Sequence, residues 1–234
     1  MNIKNTIIAA IAIASISLTS AFAGMSVGVV GSVLDVSASG TETDKITAAG
    51  ANIADTSTRK KSISESTPTA SVYLEYTLEK AWPVSIGVEF TPGTADISNK
   101  FSRTDTEKSH SGTKLISDRK VIREAQASVT DMLTTYIEVP LFAGIYVKGG
   151  ASHLTVNHTN DSLMAQSSSI GGTTFGGGWK TETDGGYIIK ASYEETDYDA
   201  ITLVSSGNSV AANTNTVKAD MDTKAYRLSL GKNF

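Results

Sequence analysis

Apolar and polar residues alternate with a period of two through much of the chain, which is typical of β-strands because successive side chains point to opposite faces. The clearest segment spans residues 69–79, and one of its faces carries Ala70, Val72, Leu74, Tyr76 and Leu78. Residues 84–91 repeat the pattern after a tight turn at 80–83 that contains proline. These two segments predict a β-hairpin.

Six further segments show the same alternation, and they cover residues 25–36, 126–138, 143–156, 173–182, 187–200 and 218–234. Val30 and Leu34 break the alternation in the first of these segments. At Leu154 and Val156 the apolar positions change phase, which predicts a β-bulge. The sequence therefore predicts eight strands and an all-β fold.

The connections between the predicted strands alternate in length. The long ones cover about residues 37–68, 92–125, 157–172 and 201–217, and the short ones cover 80–83, 139–142 and 184–186. Residues 37–66 contain no aromatic residue, so we expect them to form a mobile loop. Short turns at one end and long loops at the other are typical of an antiparallel up-and-down barrel in a membrane.

The polar face of nearly every predicted strand carries an ionisable residue. The set comprises four acids and four bases, Glu75, Glu89, Glu138, Glu194, Lys148, Lys180, Lys190 and Arg227. Equal numbers of opposite charges predict a narrow lumen filled by ion pairs, with the apolar face turned outward to lipid. The alternative is the solvated outer face of a soluble barrel or sandwich. Gly176, Gly178 and Gly231 on the same face favour a crowded interior instead.

The N-terminus has the features of a secretory signal peptide. A short apolar stretch follows Lys4, and the motif Ala21-Phe22-Ala23 provides small residues at a cleavage site. A transmembrane anchor would need a run of about 20 apolar residues. We therefore expect a signal peptide at 1–23 and a barrel domain at 24–234.

Composition and charge narrow the classes of function. The chain has 20 Lys and Arg against 24 Asp and Glu, a net charge of -4 that argues against a nucleic-acid-binding protein. Because it has no cysteine, disulfide scaffolds, thiol catalysis and Cys-ligated metals are excluded. Its 3 histidines argue against a His-rich metal site.

Three histidines next to hydroxyl residues are the candidates for catalysis, and they are His110 with Ser111, His153 with Thr155, and His158 with Thr159. None lies in a recognisable motif, and we interpret them as solvated side chains. The glycines at 171–172 and 176–178 lack the lysine and the following helix of a phosphate-binding loop. We therefore assign no catalytic, cofactor-binding or metal-ligating residue and expect no enzymatic activity.

Charged clusters lie in two of the predicted long loops. Two clusters are basic, and they are Arg59-Lys60-Lys61 and Asp118-Arg119-Lys120. Their side chains suit the phosphates of lipopolysaccharide. A third, acidic group is a candidate for divalent cations and comprises Glu42, Asp44 and Asp55. Solvated loop charge is the more frequent reason for such clusters.

The chain ends in Phe234, and the preceding alternate residues are Lys232, Leu230, Leu228 and Tyr226. This pattern resembles the C-terminal strand of bacterial outer-membrane proteins, which ends in an aromatic residue and is read by the barrel assembly machinery. Lys232 departs from the usual apolar residue at its position. The C-terminal pattern, the leader, the eight segments and the loop asymmetry together carry a family resemblance. From residue 24 onward, the chain is similar to small eight-stranded outer-membrane barrels related to outer membrane protein A, protein X and the opacity adhesins.

The resemblance implies an integral eight-stranded antiparallel up-and-down transmembrane β-barrel in the bacterial outer membrane, with a structural or adhesin-like role. An eight-stranded barrel is just wide enough for side chains to fill. A narrow porin-like channel, a lipid A-modifying enzyme and a soluble periplasmic barrel remain as alternatives. The implied partners are outer-membrane lipid and lipopolysaccharide, the assembly machinery through the strand ending in Phe234, and an extracellular ligand through the loops. No nucleic acid and no cofactor are implied.

Overall fold

The computed structural model describes residues 24–47, 54–78, 83–96, 101–111, 114–160, 163–204 and 214–234. Within these ranges the strands are β1 (Met25–Thr47), β2 (Ala54–Leu78), β3 (Val84–Asp96), β4 (Phe101–Ser111), β5 (Lys114–Pro140), β6 (Ile145–Asn160), β7 (Leu163–Glu182), β8 (Tyr187–Val204) and β9 (Thr214–Asn233). No helix among the described residues is long and apolar enough to span a membrane. The predicted signal peptide lies outside these ranges.

The strands form one antiparallel sheet that closes on itself. Strands adjacent in the chain pair in turn, and β9 returns to pair with β1 along most of its length. β3 and β4 both pair with β5, one with its second half and the other with its first half, so they share one position around the barrel. The nine described strands therefore occupy eight positions, and the predicted eight-stranded up-and-down barrel is confirmed.

The short turns and both ends of the described chain lie at one end of the barrel, which we call the short-turn end. The turn between β7 and β8 is closed by the Gly186 amide, which donates to the Thr183 carbonyl at 2.8 Å. The amide of Phe234 donates to the Met25 carbonyl at 2.9 Å, so the last residue helps to close the barrel. The predicted turn at 80–83 lies outside the described residues except for Pro83.

The opposite end, the hairpin end, consists of paired strands where the sequence predicted long loops. β1 and β2 remain paired as far as Thr47 and Ala54, and β6 and β7 as far as Asn160 and Leu163. The prediction of loops there is wrong for the described residues. Segments rich in Ser and Thr form strands without a large apolar face because pairing satisfies their backbone groups and threonine favours extended backbone.

The polarity of the two barrel faces reverses along the axis, as β9 shows. Near the short-turn end its outward residues are apolar, and Leu228 is 63% exposed while Arg227 points into the lumen. Farther along, Lys224 and Asp222 point outward whereas Met221 is buried inside. The short-turn half is thus apolar outside and charged inside, whereas farther along β9 is charged outside and an apolar layer lies inside.

This reversal corrects the predicted bulge in β6. Lys148, Ser152 and Leu154 all point inward, and β6 pairs with β7 in unbroken register through them. The inward residues simply change from polar to apolar at Leu154. The bulge lies instead in the neighbouring β5, between Thr130 and Leu133 in its ladder with β6. Val30 and Leu34, which broke the alternation in β1, are inward-facing apolar residues.

Candidate functional site

The lumen of the short-turn half contains all eight predicted charged residues in two clusters. The lower cluster, nearer the short turns, consists of Glu75, Glu138, Lys180 and Lys190. The Lys190 Nζ atom lies 2.7 Å from Glu75 and 2.8 Å from Glu138. The Lys180 Nζ atom lies 3.1 Å and 3.5 Å from the same two carboxylates. Each base therefore contacts both acids.

The upper cluster repeats this arrangement one level farther in, and it consists of Glu89, Glu194, Lys148 and Arg227. The Lys148 Nζ atom lies 2.9 Å from Glu194 and 3.6 Å from Glu89. The Arg227 guanidinium contacts Glu89 and donates to Glu194 at 2.6 Å. The Ser71 hydroxyl also donates to Glu89, at 2.5 Å. The predicted network of luminal ion pairs is confirmed.

Aromatic side chains connect and surround the two clusters. The Tyr136 hydroxyl donates to Glu75 at 3.0 Å, and Lys148 of the upper cluster lies 4.0 Å from the centre of the Tyr136 ring. Such a cation–π contact adds stabilisation to a buried ammonium. Tyr73, Tyr136 and Tyr146 alternate with the luminal charges along their strands. The sequence alone gives no sign of these contacts, because they depend on how the barrel closes.

Glycines on nearby strands make room for these rings, and Gly28 and Gly87 pair directly with Tyr73 and Tyr136. A Cβ atom at Gly87 would overlap the Tyr136 ring, and one at Gly28 or Gly231 would overlap the Tyr73 ring. Gly176 and Gly178 instead face backbone and side-chain atoms of β8 at close range. The prediction that luminal glycines relieve crowding is therefore correct.

A row of hydroxyl groups lies above the upper cluster. Thr134, Ser152, Thr174 and Thr196 are joined in order by contacts of 2.7, 2.7 and 2.8 Å across β5, β6, β7 and β8. Beyond this row the lumen is lined by apolar side chains, which include Leu34, Val36, Val129, Leu154, Met221 and Tyr198. From the short turns outward, the lumen thus contains two charged layers, a hydroxyl layer and an apolar layer.

The candidate catalytic histidines are not gathered at one site. His153 is exposed on the outer face of β6 and contacts the Ser169 hydroxyl rather than Thr155. Within the described part of the chain, no carboxylate hydrogen-bonds the His153 ring. His110 lies in β4 and His158 in β6, and their side chains lie outside the described residues.

The charged clusters assigned to loops lie on strands. Arg59, Lys60 and Lys61 are exposed in β2, and residues 118–120 belong to β5. Glu42 lies on β1 opposite Arg59 in the β1–β2 ladder, while the side chains of Asp44 and Asp55 lie outside the described residues. Among the described residues no group of three His, Asp or Glu is arranged to hold a metal ion.

No protein-family model and no curated protein sequence matches the chain. It is similar to the attachment invasion locus protein Ail of Yersinia pestis, at 14% identity over 83% of this chain and 98% of that protein, with a TM-score of 0.32. The outer membrane protein OprG of Pseudomonas aeruginosa is 13% identical over 91% of this chain and 96% of its own, with a TM-score of 0.47. Neisserial surface protein A is 11% identical over 86% and 97%, with a TM-score of 0.32. Similarities at this level support no statement about function.

The class of the protein follows from its own geometry. A sheet that closes on itself through the short-turn half, an outward apolar belt and eight luminal charged residues that are all paired satisfy the two demands of a bilayer, which are apolar contact and internal hydrogen bonding. The Tyr193 and Tyr226 rings lie 5.1 Å apart at the upper limit of the belt, where aromatic residues meet the interface. The fold is that of a small transmembrane barrel of the outer-membrane type.

Proposed function

We propose that this protein is an integral barrel of the bacterial outer membrane that presents its hairpin end as an interaction surface outside the cell. The observation that supports this function is the reversal of polarity. The outward residues of β9 are apolar from Leu230 to Tyr226 and charged from Lys224 to Lys218, although the strand continues to pair. A barrel embedded only at its short-turn half would project the rest into water as a β-structured surface.

The proposed role is non-catalytic, and the lumen is structural. Eight paired charged side chains fill the cross-section of the barrel, so a solute would have to separate ion pairs in order to pass. In the projecting part of β2, Arg59, Lys60 and Lys61 are exposed, with Lys60 on the opposite face of the strand from the other two. Such basic side chains suit phosphate groups of lipopolysaccharide through charge-assisted hydrogen bonds. The apolar belt contacts the lipid chains. The assembly machinery recognises β9, which ends in Phe234.

An epitope insertion tests the orientation. A tag placed between Ala49 and Gly50 at the β1–β2 hairpin should be labelled by antibody on intact cells. A matched tag between Asp184 and Gly185, in the short turn before β8, should be labelled only after permeabilisation. The reverse result would overturn the proposed topology.

Two further measurements separate this role from its alternatives. The purified protein in planar bilayers should show no steady conductance, and a steady conductance would favour the channel instead. Lipid A should keep its mass after incubation with the protein. A mass change that disappears in Ser169→Ala would show that the contact of Ser169 with His153 is catalytic.

A further inference from the structure

A polar groove lies on the outer surface of the hairpin half, across four neighbouring strands. Its volume is about 410 Å³, which is enough for a small ligand. One side of the groove carries the carboxylates of Asp197 on β8 and of Asp220 and Asp222 on β9. The other side carries four hydroxyl groups from β1 and β2, those of Ser37, Ser39, Ser62 and Ser64.

Strand pairing fixes the arrangement of these groups in two rows. The first row runs in register from β8 to β2 through Asp197, Asp222, Ser37 and Ser64. The second row, two residues farther along each strand, runs through Asp220, Ser39 and Ser62. The β8–β9 ladder shifts register between Tyr198 and Ile201, and a bulge of this kind bends a strand. Carboxylates and hydroxyls thus line opposite sides of one concave surface.

The groove lies beyond the apolar belt. Asp197 lies four residues past Tyr193 on the outward face of β8, and Asp222 lies equally far past Tyr226 on β9. Four residues correspond to about 13 Å along a strand. A barrel embedded through its belt therefore leaves the groove open to water.

The three carboxylates carry charge that the protein does not neutralise. No Lys or Arg forms an ion pair with them in the part of the chain that the structure describes, and Lys224 on the same face lies 3.7 Å from Glu195 instead. Asp197 and Asp222 are directly opposite each other, and like charges in such a pair destabilise a sheet. A bound cation would remove this repulsion, so the groove favours a ligand that brings its own positive charge.

The spread of the polar groups distinguishes between kinds of cation. A metal ion needs its ligands around one point, and the described residues include no such group of acidic or histidine side chains. The two rows are instead about 7 Å apart along the strands. The hydroxyl side of the groove adds donors and acceptors that a bare ion would leave unused. A polyhydroxylated molecule with separated amines matches both sides.

We propose that the groove binds an oligosaccharide that carries free amino groups, such as a short polymer of glucosamine. Its protonated amines donate charge-assisted hydrogen bonds to the aspartates, and its hydroxyl groups bond to the serine side chains. The proposal deepens the interaction role of the hairpin end and rests on that role for access from outside the cell. Binding by the purified protein does not depend on its orientation in a cell.

A disaccharide of glucosamine with both amines free tests the site. Its binding to the mature protein in phosphatidylcholine nanodiscs is measured by titration calorimetry at a pH that protonates both amines. We expect saturable binding that salt weakens. The N-acetylated disaccharide keeps the hydroxyls but lacks the charge, and it should bind about tenfold more weakly. Absence of saturable binding, or equal binding of the two disaccharides, would overturn the proposal.

Two simpler cations test the contribution of the hydroxyl side. A linear diamine with the same separation between its amines supplies charge without hydroxyl groups, and Ca²⁺ supplies charge at a single point. Both should bind more weakly than the glucosamine disaccharide. Equal affinity for the diamine would overturn the assignment to a saccharide, and displacement of the disaccharide by Ca²⁺ at equal concentration would indicate a metal site instead.

Substitutions on the two sides of the groove locate the ligand. Asp222→Asn should weaken disaccharide binding about tenfold. It should also raise the urea midpoint of unfolding because it removes the like-charge pair, which separates lost binding from lost folding. Ser37→Ala with Ser64→Ala should narrow the difference in affinity between the disaccharide and the diamine.

Asp199→Asn is the matched control for these variants. Its carboxylate is also exposed on β8 but faces Gly171 of β7, outside the groove, so disaccharide binding should not change. Equal binding by Asp222→Asn and the unchanged protein would overturn the site. Loss of binding in the purified protein would overturn the groove alone, whereas the epitope tags decide whether the hairpin end lies outside the cell.

Discussion

A single carboxylate shows how the lumen accommodates charge. Glu75 is 0% exposed, yet its two oxygens accept hydrogen bonds from Lys180, Lys190 and Tyr136. An ionised carboxylate taken out of water is tolerated only when such partners replace its hydration. Each of the eight luminal charges has at least two such opposite neighbours. The clusters should therefore respond strongly to the loss of one member.

The free energy of unfolding should show coupling within a cluster. Glu138→Ala or Lys190→Ala alone should each cost about 3–5 kcal/mol, because each strands a buried charge. The double variant should cost less than the sum, with a coupling of about 1–3 kcal/mol. Urea unfolding from lipid vesicles measures these values. Glu138→Ala with Arg227→Ala crosses between clusters and serves as the control, which should be nearly additive. Additivity in both pairs would contradict the described pairing.

The luminal glycines provide a second prediction at this scale. Gly87→Ala should lower the free energy of unfolding by about 1–3 kcal/mol, since its Cβ would overlap the Tyr136 ring and crowding of this kind forces strain. Gly149→Ala is the matched control, because a Cβ there meets nothing within 4 Å. Urea midpoints for the two variants should therefore differ clearly. Equal midpoints would show that the Tyr136 ring does not lie against Gly87.

At the scale of one element, the change from apolar to charged outward residues along β9 indicates where the membrane ends. Leu228→Arg should place a charge in hydrocarbon and cost about 2–4 kcal/mol near the midplane. Asp222→Arg lies on the same face beyond the belt and should leave the folding yield in vesicles unchanged. Ser229→Asn, a mild change on the luminal side, separates the lipid effect from crowding. A similar loss for Asp222→Arg would mean that the belt extends farther than the polarity of β9 indicates.

The strands and their faces were predictable because alternation is a local property of the sequence. The same pattern identified all eight luminal charges, but it did not pair them, since partners such as Lys190 and Glu75 lie 115 residues apart. The phase change at Leu154 was misread because sequence reasoning assumed one polarity for a whole strand. The strand segments within the predicted long loops, 37–68, 92–125, 157–172 and 201–217, were missed because polar segments that gain their stability from pairing carry little apolar signal.

At the scale of the whole molecule, the last residue contributes to the closing seam between β1 and β9. Gly24 donates to the Phe234 carbonyl at 3.0 Å, and the Phe234 amide donates to Met25. Deletion of Phe234 should reduce the heat-modifiable form in the outer membrane and leave aggregates in the periplasm. Chain ends of soluble proteins usually tolerate such loss. Normal assembly of the deletion variant would argue against a closing role for this residue. Phe234→Tyr, which keeps an aromatic residue at the end of the strand, is the control and should assemble normally.

The two ion-pair clusters also act as a check on strand alignment. A slip of one residue between neighbouring strands would turn every side chain to the wrong face, but a slip of two would preserve the alternation and the apolar belt. Such a slip would nevertheless separate Lys190 from Glu75 and Arg227 from Glu89, which meet only across the closed lumen. A misaligned barrel would therefore contain unpaired charged side chains that are buried away from water. The ion pairs of the lumen thus favour the native strand alignment over an alignment shifted by two residues.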